Sequence, residues 1–209
     1  FLCNVNKDIV MCNMKLSERM NEGEFVISSL KDLQYNVSFL DDDCIAEGGE
    51  FFFLPKENIL LAGQNRNNLK GAEQMAEKLK VSHLHIIKSS GYHLDTSIAP
   101  IFNNKYDCIG IICAREVFRN NEINDLRSIC ISNQWELIEI EHQNINSSLS
   151  FRTAMNGLTL PGLFISSKKL NQKLISDFAL SNGIAFDSTE VSQFNLSGGS
   201  IHCLTNELF

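Results

Sequence analysis

The sequence predicts an α/β protein of about four similar modules, each containing a strand, a helix and a second strand. The first observation is a set of short apolar runs typical of buried strands, whose starts recur roughly every 50 residues. These runs are Asp8–Cys12, Asn58–Ala62, Asp107–Ile112 and Gly162–Ser166. The second observation is that each run is followed by apolar residues at helical spacing and then by another short strand-like run. Such recurrence is typical of duplicated supersecondary units.

The first predicted helix covers Ser17 to Leu33, with Ser17 as a plausible N-cap. Val26, Leu30 and Leu33 follow the i, i+4, i+7 spacing of one helical face. The later helical faces are Leu69, Ala72, Met75, Ala76 and Leu79, then Ile123, Leu126, Ile129 and Cys130, then Leu170, Leu174, Ile175 and Phe178.

The strands that close the modules are predicted at Val37–Leu40, His83–Ile87, Trp135–Ile140 and Gly183–Phe186. Turn residues at Pro55–Asn58 and Asn103–Lys105 separate neighbouring strands. Four units of this kind could also form a single open, doubly wound sheet, so the periodicity leaves the arrangement of the modules open.

Composition narrows the class of protein. The 209 residues are 44% hydrophobic and 21% charged, which is typical of a soluble globular chain, and the formal net charge is −7. We expect no nucleic-acid partner, because there is no basic run, and no membrane span, because no apolar run approaches about 20 residues. No signal peptide is apparent. The chain begins at Phe1 rather than methionine, which suggests an incomplete N-terminus.

The cysteines favour a reducing compartment. The 7 cysteines are scattered and odd in number, with no Cys-x-x-Cys pair, so neither a disulfide framework nor a zinc site is indicated. This usage predicts a cytoplasmic protein. Taken singly, any of these cysteines is more often a small buried hydrophobe than a nucleophile.

Three stretches nevertheless have the residue types of a catalytic site. Gly198-Gly199 precedes Cys203, and glycines allow the tight turns or close approach that an accessible thiol needs. His93 and Asp95 stand two residues apart, and Glu47 begins the run Glu47-Gly48-Gly49-Glu50. Cysteine attack with an imidazole for proton transfer is the chemistry that these residues favour.

The order and spacing of these stretches resemble the guanidino-group-modifying superfamily, whose members share the pentein fold. The resembling motifs are Phe1-Leu2-Cys3-Asn4, Glu47-Gly48-Gly49-Glu50, Arg66, His93-Leu94-Asp95 and Gly198-Gly199-Ser200-Ile201-His202-Cys203. The resemblance covers the whole chain. It implies a single domain over residues 1–209, a pentein propeller of ββαβ-type modules. About four of five modules would be present, with the N-terminal module missing.

The resemblance also implies roles for individual residues. Cys203 would be the nucleophile that forms a covalent thiouronium, and His93 would protonate the leaving amine and then activate water. Glu47 and Asp95 would accept hydrogen bonds from the guanidinium, and Glu47 could also orient His93. Arg66 would bind the α-carboxylate of the substrate.

Asn4 and His202 complete the expectations. Asn4 would face the guanidinium in place of an aspartate, which makes the chain most similar to the arginine dihydrolase group. His202 is expected to point away from Cys203 along an extended segment, and it is excluded from the site. His83, His85 and His142 match no part of the family pattern.

The predicted function is that of a hydrolase acting on the guanidino group of arginine or a close derivative, without cofactor or metal. An amidinotransferase with the same cysteine, histidine and acids is one alternative. A truncated, non-catalytic pentein module that binds a ligand or partner chain is another. The predicted partner is a small arginine-like molecule, and an oligomer is possible.

Overall fold

A computed structural model describes residues 1–19, 21–140, 155–167 and 173–209. The chain divides into two compact units: the first contains Phe1–Ile86 and Asn206–Phe209, and the second contains Ile87–Thr205. Each unit is described by itself. The predicted single domain, closed ring and fifth module stay predictions.

The first unit contains two three-stranded sheets. The strands of one are β1 (Leu2–Cys3), β2 (Asp8–Met11) and β3 (Asn36–Phe39). The strands of the other are β4 (Phe51–Leu54), β5 (Ile59–Gly63) and β6 (His83–Ile87). β1 and β4 pair antiparallel with β2 and β5, and β2 pairs parallel with β3. Each sheet therefore begins with a hairpin.

The second unit repeats this arrangement in two more three-stranded sheets. Their strands are β7 (Ile98–Phe102), β8 (Cys108–Ala114) and β9 (Glu136–Ile140), then β10 (Leu158–Leu160), β11 (Leu163–Ser166) and β12 (Ala185–Ser188). The first two strands of each sheet are antiparallel, and the last two are parallel.

A helix connects the middle strand of each sheet to its third strand. These helices are α1 (Glu24–Asp32), α2 (Leu69–Lys78), α3 (Asn120–Ser132) and α4 (Lys173–Asn182), and a short α5 (Ser192–Leu196) follows β12. A parallel pair needs such a crossover, whereas an antiparallel pair needs only a turn. The ββαβ modules are confirmed. The alternative of one doubly wound sheet is wrong, because the described strands form four separate sheets.

The first helix is shorter than its sequence pattern predicted. Ser17–Arg19 form a 3₁₀ turn, and the Ser17 hydroxyl donates to the neighbouring Glu18 carboxylate rather than capping a helix. α1 begins only at Glu24. Of the three predicted apolar positions only Leu30 is buried, because α1 packs on the core through Leu30 and Ile27 rather than through Val26 and Leu33. For α4, Leu170 lies outside the described residues.

The buried middle strands form the core. Ile9, Val10, Leu60, Leu61 and Ile112 are all completely buried. Burying an aliphatic side chain of this size stabilises the folded state by about 1.5–3 kcal/mol relative to exposure. The β-branched and leucine-rich runs seen in the sequence are therefore the central strands of the four sheets.

Two hairpins are closed by the same type of turn, which has the sequence pattern Asn-x-x-x-Asp. The Asn4 side-chain oxygen accepts from the amides of Asn6 and Asp8, at 2.9 and 3.0 Å. The Asn103 oxygen accepts from the amides of Lys105 and Asp107 at 2.8 and 3.0 Å. Each side-chain NH₂ also donates to the aspartate of its own turn.

The structure also bears on the predictions for the cysteines and for membrane spans. All seven cysteines are free; five are buried, Cys12 is partly buried and Cys203 is exposed. Over the described ranges, no helix combines the length and apolar character needed to cross a bilayer.

Candidate active site

The residues expected in the site fall into two groups, one in each unit. Cys203, His93 and Asp95 belong to the second unit, and Asn4, Glu47 and Arg66 belong to the first.

Cys203 lies at the centre of a 3₁₀ turn, His202–Leu204, that follows the glycine pair. Gly198 adopts a φ of 84°, in the left-handed region that side chains rarely occupy, so a glycine is needed there. The backbone then turns and presents the thiol at the surface, where Cys203 is exposed. Because the other cysteines are buried or half-buried, this thiol is the one accessible to a substrate.

Asp95 lies beside that thiol. It is 1% exposed and sits in a 3₁₀ turn, Leu94–Thr96, just before β7. Its Oδ2 is 3.9 Å from the Cys203 Sγ. Its Oδ1 is buried and has no hydrogen-bond partner among the described residues. A buried carboxylate oxygen without a partner is costly, so this atom is suited to accept from a cationic donor.

His202 is the second partner of Asp95, contrary to the expectation from sequence. The His202 Nδ1 lies 3.0 Å from the Asp95 Oδ2. The expectation assumed an extended segment, in which neighbouring side chains point to opposite faces. In a 3₁₀ turn, successive side chains are about 120° apart, so His202 and Cys203 can both face Asp95. The exclusion of His202 was therefore wrong.

His93 precedes the same turn and is half-buried. Its carbonyl accepts from the Thr96 amide and hydroxyl at 3.1 and 2.8 Å, which fixes the backbone. Its ring contacts the Tyr92 ring with centroids 4.6 Å apart. Gly91 has no room for a side chain, because a Cβ there would collide with the Ser97 hydroxyl. The residues of the loop that carries His93 thus pack closely against one another.

Asn156 also contacts the Cys203 turn, and no motif indicated it. Its Oδ1 accepts from the Cys203 amide at 3.2 Å, and its carbonyl accepts from the His202 amide at 3.2 Å. It is 2% exposed and lies 47 residues from Cys203 in the sequence. At that separation, local spacing carries no signal for the pair.

The surroundings of Cys203 disfavour its ionised form. Loss of hydration and, second, the negative charge of Asp95 raise the pKa of the thiol above its ordinary value. Hydrogen bonds from the Ser200 backbone and the Asn156 side chain act in the opposite direction and lower that pKa. A cation between Asp95 and the sulfur would offset the carboxylate and favour the thiolate.

In the first unit, Glu47 is a buried carboxylate, 1% exposed, at the start of the 3₁₀ turn Gly48–Glu50. Its Oε1 accepts from the Lys15 amide at 3.1 Å. Its own amide donates to the Asn67 side chain at 2.8 Å. These contacts fix Glu47 from both its backbone and its side chain.

Arg66 pairs with this carboxylate. Its Nη2 and Nε donate to the two Glu47 oxygens at 3.3 and 3.4 Å, and its amide donates to the Glu50 Oε1 at 2.5 Å. The guanidinium thus compensates a buried charge. The expected role of Arg66 in binding a substrate carboxylate stays a prediction, since these contacts show only the pairing with Glu47.

Asn4 does not have the contacts of a substrate-binding residue. It is 2% exposed, and its NH₂ donates to the Leu79 carbonyl and the Asp8 carboxylate at 2.9 and 3.3 Å. With its oxygen also accepting two backbone amides, its hydrogen-bonding capacity is used by the hairpin turn. The assignment of Asn4 to the guanidinium was wrong. The Asn-x-x-x-Asp turn repeated at Asn103 was the sequence signal for this structural role.

Four ββαβ sheets, with an accessible cysteine beside a His-x-Asp carboxylate, define the pentein class of guanidino-group-modifying proteins. The chain belongs to the family of eukaryotic N,N dimethylarginine dimethylhydrolases, which matches residues 1–209. No curated protein matches the sequence.

Solved structures of similar fold include the N-terminal domain of ArgZ, an arginine dihydrolase from the ornithine–ammonia cycle in cyanobacteria, bound to product. It is 20% identical with a TM-score of 0.78, over 97% of this chain and 70% of that chain. A cysteine-to-alanine mutant of AgrE with L-arginine is 20% identical with a TM-score of 0.79, over 97% of this chain and 29% of that chain. A cysteine-to-serine mutant of DDAH from Pseudomonas aeruginosa with citrulline is 17% identical with a TM-score of 0.67, over 92% of this chain and 68% of that chain. At these identities the likeness shows the fold.

Proposed function

We propose that this chain hydrolyses a guanidino C–N bond of arginine or an N-methylated arginine through a covalent intermediate on Cys203. The observation that carries the proposal is the buried Asp95 carboxylate, whose Oδ1 lacks a partner among the described residues and whose Oδ2 lies 3.9 Å from the Cys203 sulfur. A guanidinium that donates to Asp95 brings its central carbon near the thiol.

The proposed mechanism follows from the low electrophilicity of a guanidinium. It is cationic and weakly electrophilic, so it needs a thiolate rather than an alcohol. The Cys203 sulfur forms a bond to the central carbon, and the bond from that carbon to the departing amine breaks. His93 supplies the proton that the amine takes away. The product of this step is a thiouronium on Cys203.

Water then completes the reaction. His93 accepts a proton from a water molecule, the oxygen bonds to the central carbon, and the C–S bond breaks. The cysteine is regenerated and a ureido product is released. The role of Glu47 toward the guanidinium or His93, which the family resemblance implies, stays a prediction. The Arg66 guanidinium forms an ion pair with the Glu47 carboxylate.

The identity of the leaving amine sets the substrate. Dimethylarginine would release dimethylamine and citrulline, whereas arginine would release ammonia. Membership of the dimethylarginine family supports dimethylarginine as the substrate. The fold shared with arginine dihydrolases supports testing arginine as well. With Asn4 assigned to the hairpin turn, that residue no longer favours two rounds of hydrolysis over one.

The test is product analysis with both substrates, using the natural chain and Cys203→Ser. We expect amine release from at least one guanidino compound, reduced about a thousandfold or more in Cys203→Ser, because an unactivated alcohol is a much weaker nucleophile. Cys113→Ser is the matched control, since Cys113 is fully buried and burial raises the pKa of its thiol far above the ordinary range.

Three results would replace the proposed function with another one. Amine release only in the presence of an acceptor amine would indicate an amidinotransferase. Ornithine as the final product would indicate a dihydrolase. Binding of arginine analogues without any turnover would favour a non-catalytic module.

A further inference from the structure

We infer that Asn156 is a positioning residue for the nucleophile: its side-chain oxygen holds the Cys203 backbone, and its NH₂ group stabilises the sulfur once it ionises. This inference rests on the proposed function, which makes Cys203 the nucleophile. Four observations in the second unit carry it.

The first observation is a double connection to the cysteine turn. The Asn156 Oδ1 accepts from the Cys203 amide and the Asn156 carbonyl accepts from the His202 amide, each at 3.2 Å. One residue therefore fixes two consecutive positions of the 3₁₀ turn. Movement of this turn would displace the thiol from Asp95, so the two hydrogen bonds maintain the geometry of attack.

The second observation is the state of the Asn156 NH₂. It is buried and donates to no acceptor within the part of the chain that the structure describes. An amide NH₂ in such a place is costly unless a partner arrives. It belongs to the same planar group as the oxygen that touches Cys203, so the partner it lacks is close to the cysteine. A thiolate is an anionic acceptor that forms only during the reaction.

The third observation is the close packing beside Asn156. A side chain at Gly157 would collide with the Phe164 ring and would approach the Ile165 carbonyl to 2.7 Å. The chain next to Asn156 is therefore pressed against β11, and Asn156 itself is 2% exposed. An amide held on such a support is already oriented before ionisation, so little rearrangement is needed when the charge appears.

The fourth observation is electrostatic and supports the geometry. The Asn156 side chain lowers the pKa of the Cys203 thiol, whereas Asp95 raises it. The two residues thus act on the same sulfur in opposite directions.

The experiment measures alkylation of Cys203 by iodoacetamide between pH 6 and pH 10, without substrate, and reads the modified peptide by mass spectrometry. Asn156→Asp keeps an oxygen for the Cys203 amide but replaces the donor with a charge. Asn156→Ala removes both. Asn124→Asp, on the exposed face of α3, makes the same change of charge away from the cysteine turn.

We expect the apparent pKa of Cys203 to rise in both Asn156 variants, with alkylation at pH 8 slowed about tenfold in Asn156→Ala. The slowing should be at least as large in Asn156→Asp, where a carboxylate faces the thiolate. Asn124→Asp should stay within about twofold of the natural chain, since exposed charges are strongly screened.

A purely structural role gives a different pattern. Asn156→Ala would then leave the apparent pKa of Cys203 unchanged, because no donor to the sulfur is lost, whereas the new charge alone would still slow Asn156→Asp. That pattern overturns the inference, and so does an equal shift in Asn124→Asp. If Asn156→Ala fails to unfold cooperatively, Asn156→Leu, a neutral side chain of similar shape without a donor, takes its place. Because no substrate is present, the measurement is independent of whether the chain proves to be a guanidino hydrolase.

Discussion

Replacing Asp95 with asparagine should make the Cys203 thiol more acidic while removing activity. Two unit charges at the observed separation of 3.9 Å interact by about 4 kcal/mol at an effective dielectric constant of about 20. This corresponds to about three pKa units as an upper limit. His202 partly compensates the carboxylate and Cys203 is exposed, so we expect a decrease of about one pKa unit.

The sign follows from the ionised form of each group. A neighbouring carboxylate opposes the formation of a thiolate, so its removal lowers the thiol pKa and increases the thiolate fraction near neutral pH. Alkylation of Cys203 at pH 7.5 should then be about tenfold faster in Asp95→Asn than in the natural chain. Turnover should fall at least a hundredfold, because the amide is a weaker acceptor for a guanidinium than the carboxylate.

The assay combines the pH profile of iodoacetamide labelling with steady-state amine release. Asp125→Asn is the matched control: it removes a carboxylate from the exposed face of α3 and should change neither measurement. An Asp95→Asn profile that is unchanged or moved to higher pH would refute the assigned electrostatics. Retained turnover would refute the role of Asp95 in substrate binding.

Three further outcomes are expected. His202→Ala should raise the KM at least tenfold, and His202→Asn should recover most of the loss, because its side-chain nitrogen can replace Nδ1; equal kinetics in both variants would contradict this. Arg66→Met should lower the free energy of unfolding by about 3 kcal/mol in urea titrations, since it removes the guanidinium that pairs with the buried Glu47 carboxylate. Asn4→Ala and Asn103→Ala should each cost about 2 kcal/mol of stability with kcat unchanged, measured by thermal unfolding and product release; a selective loss of kcat in Asn4→Ala would restore a catalytic role for Asn4.

Much of the fold was accessible from sequence periodicity. The strand predicted at His83–Ile87 has the observed bounds, and those at Asp107–Ile112 and Gly162–Ser166 differ by one or two residues at their ends. The run Asp107–Ile112 is detectable because it belongs to a middle strand, β8, which is buried on both faces along most of its length. The predicted helix from Ser17 failed where a capping residue found another partner, the Glu18 carboxylate.

Parts of the candidate site were likewise indicated by local motifs, and other parts were not. The positions of Cys203, Asp95 and Glu47 were indicated by local motifs with glycines, whose backbone requirements are visible in a short window. Asn4 was assigned from such a window as well, and wrongly, because a four-residue motif does not show which partners its side chain meets. The Leu79 carbonyl that Asn4 contacts is 75 residues away.

By itself, then, the sequence determined the repeated α/β modules, because their period is a local property. It also indicated Cys203, after a glycine pair, as the candidate nucleophile, because the backbone freedom of glycine is local too. Only the tertiary structure decided that His202 pairs with Asp95, that Asn156 holds the Cys203 turn and that Asn4 closes a hairpin. The contacts of His202 and Asn156 join residues 107 and 47 positions apart. The physical reason is that hydrogen-bond partners are chosen by distance and direction after the chain has packed, and neither is encoded in local spacing.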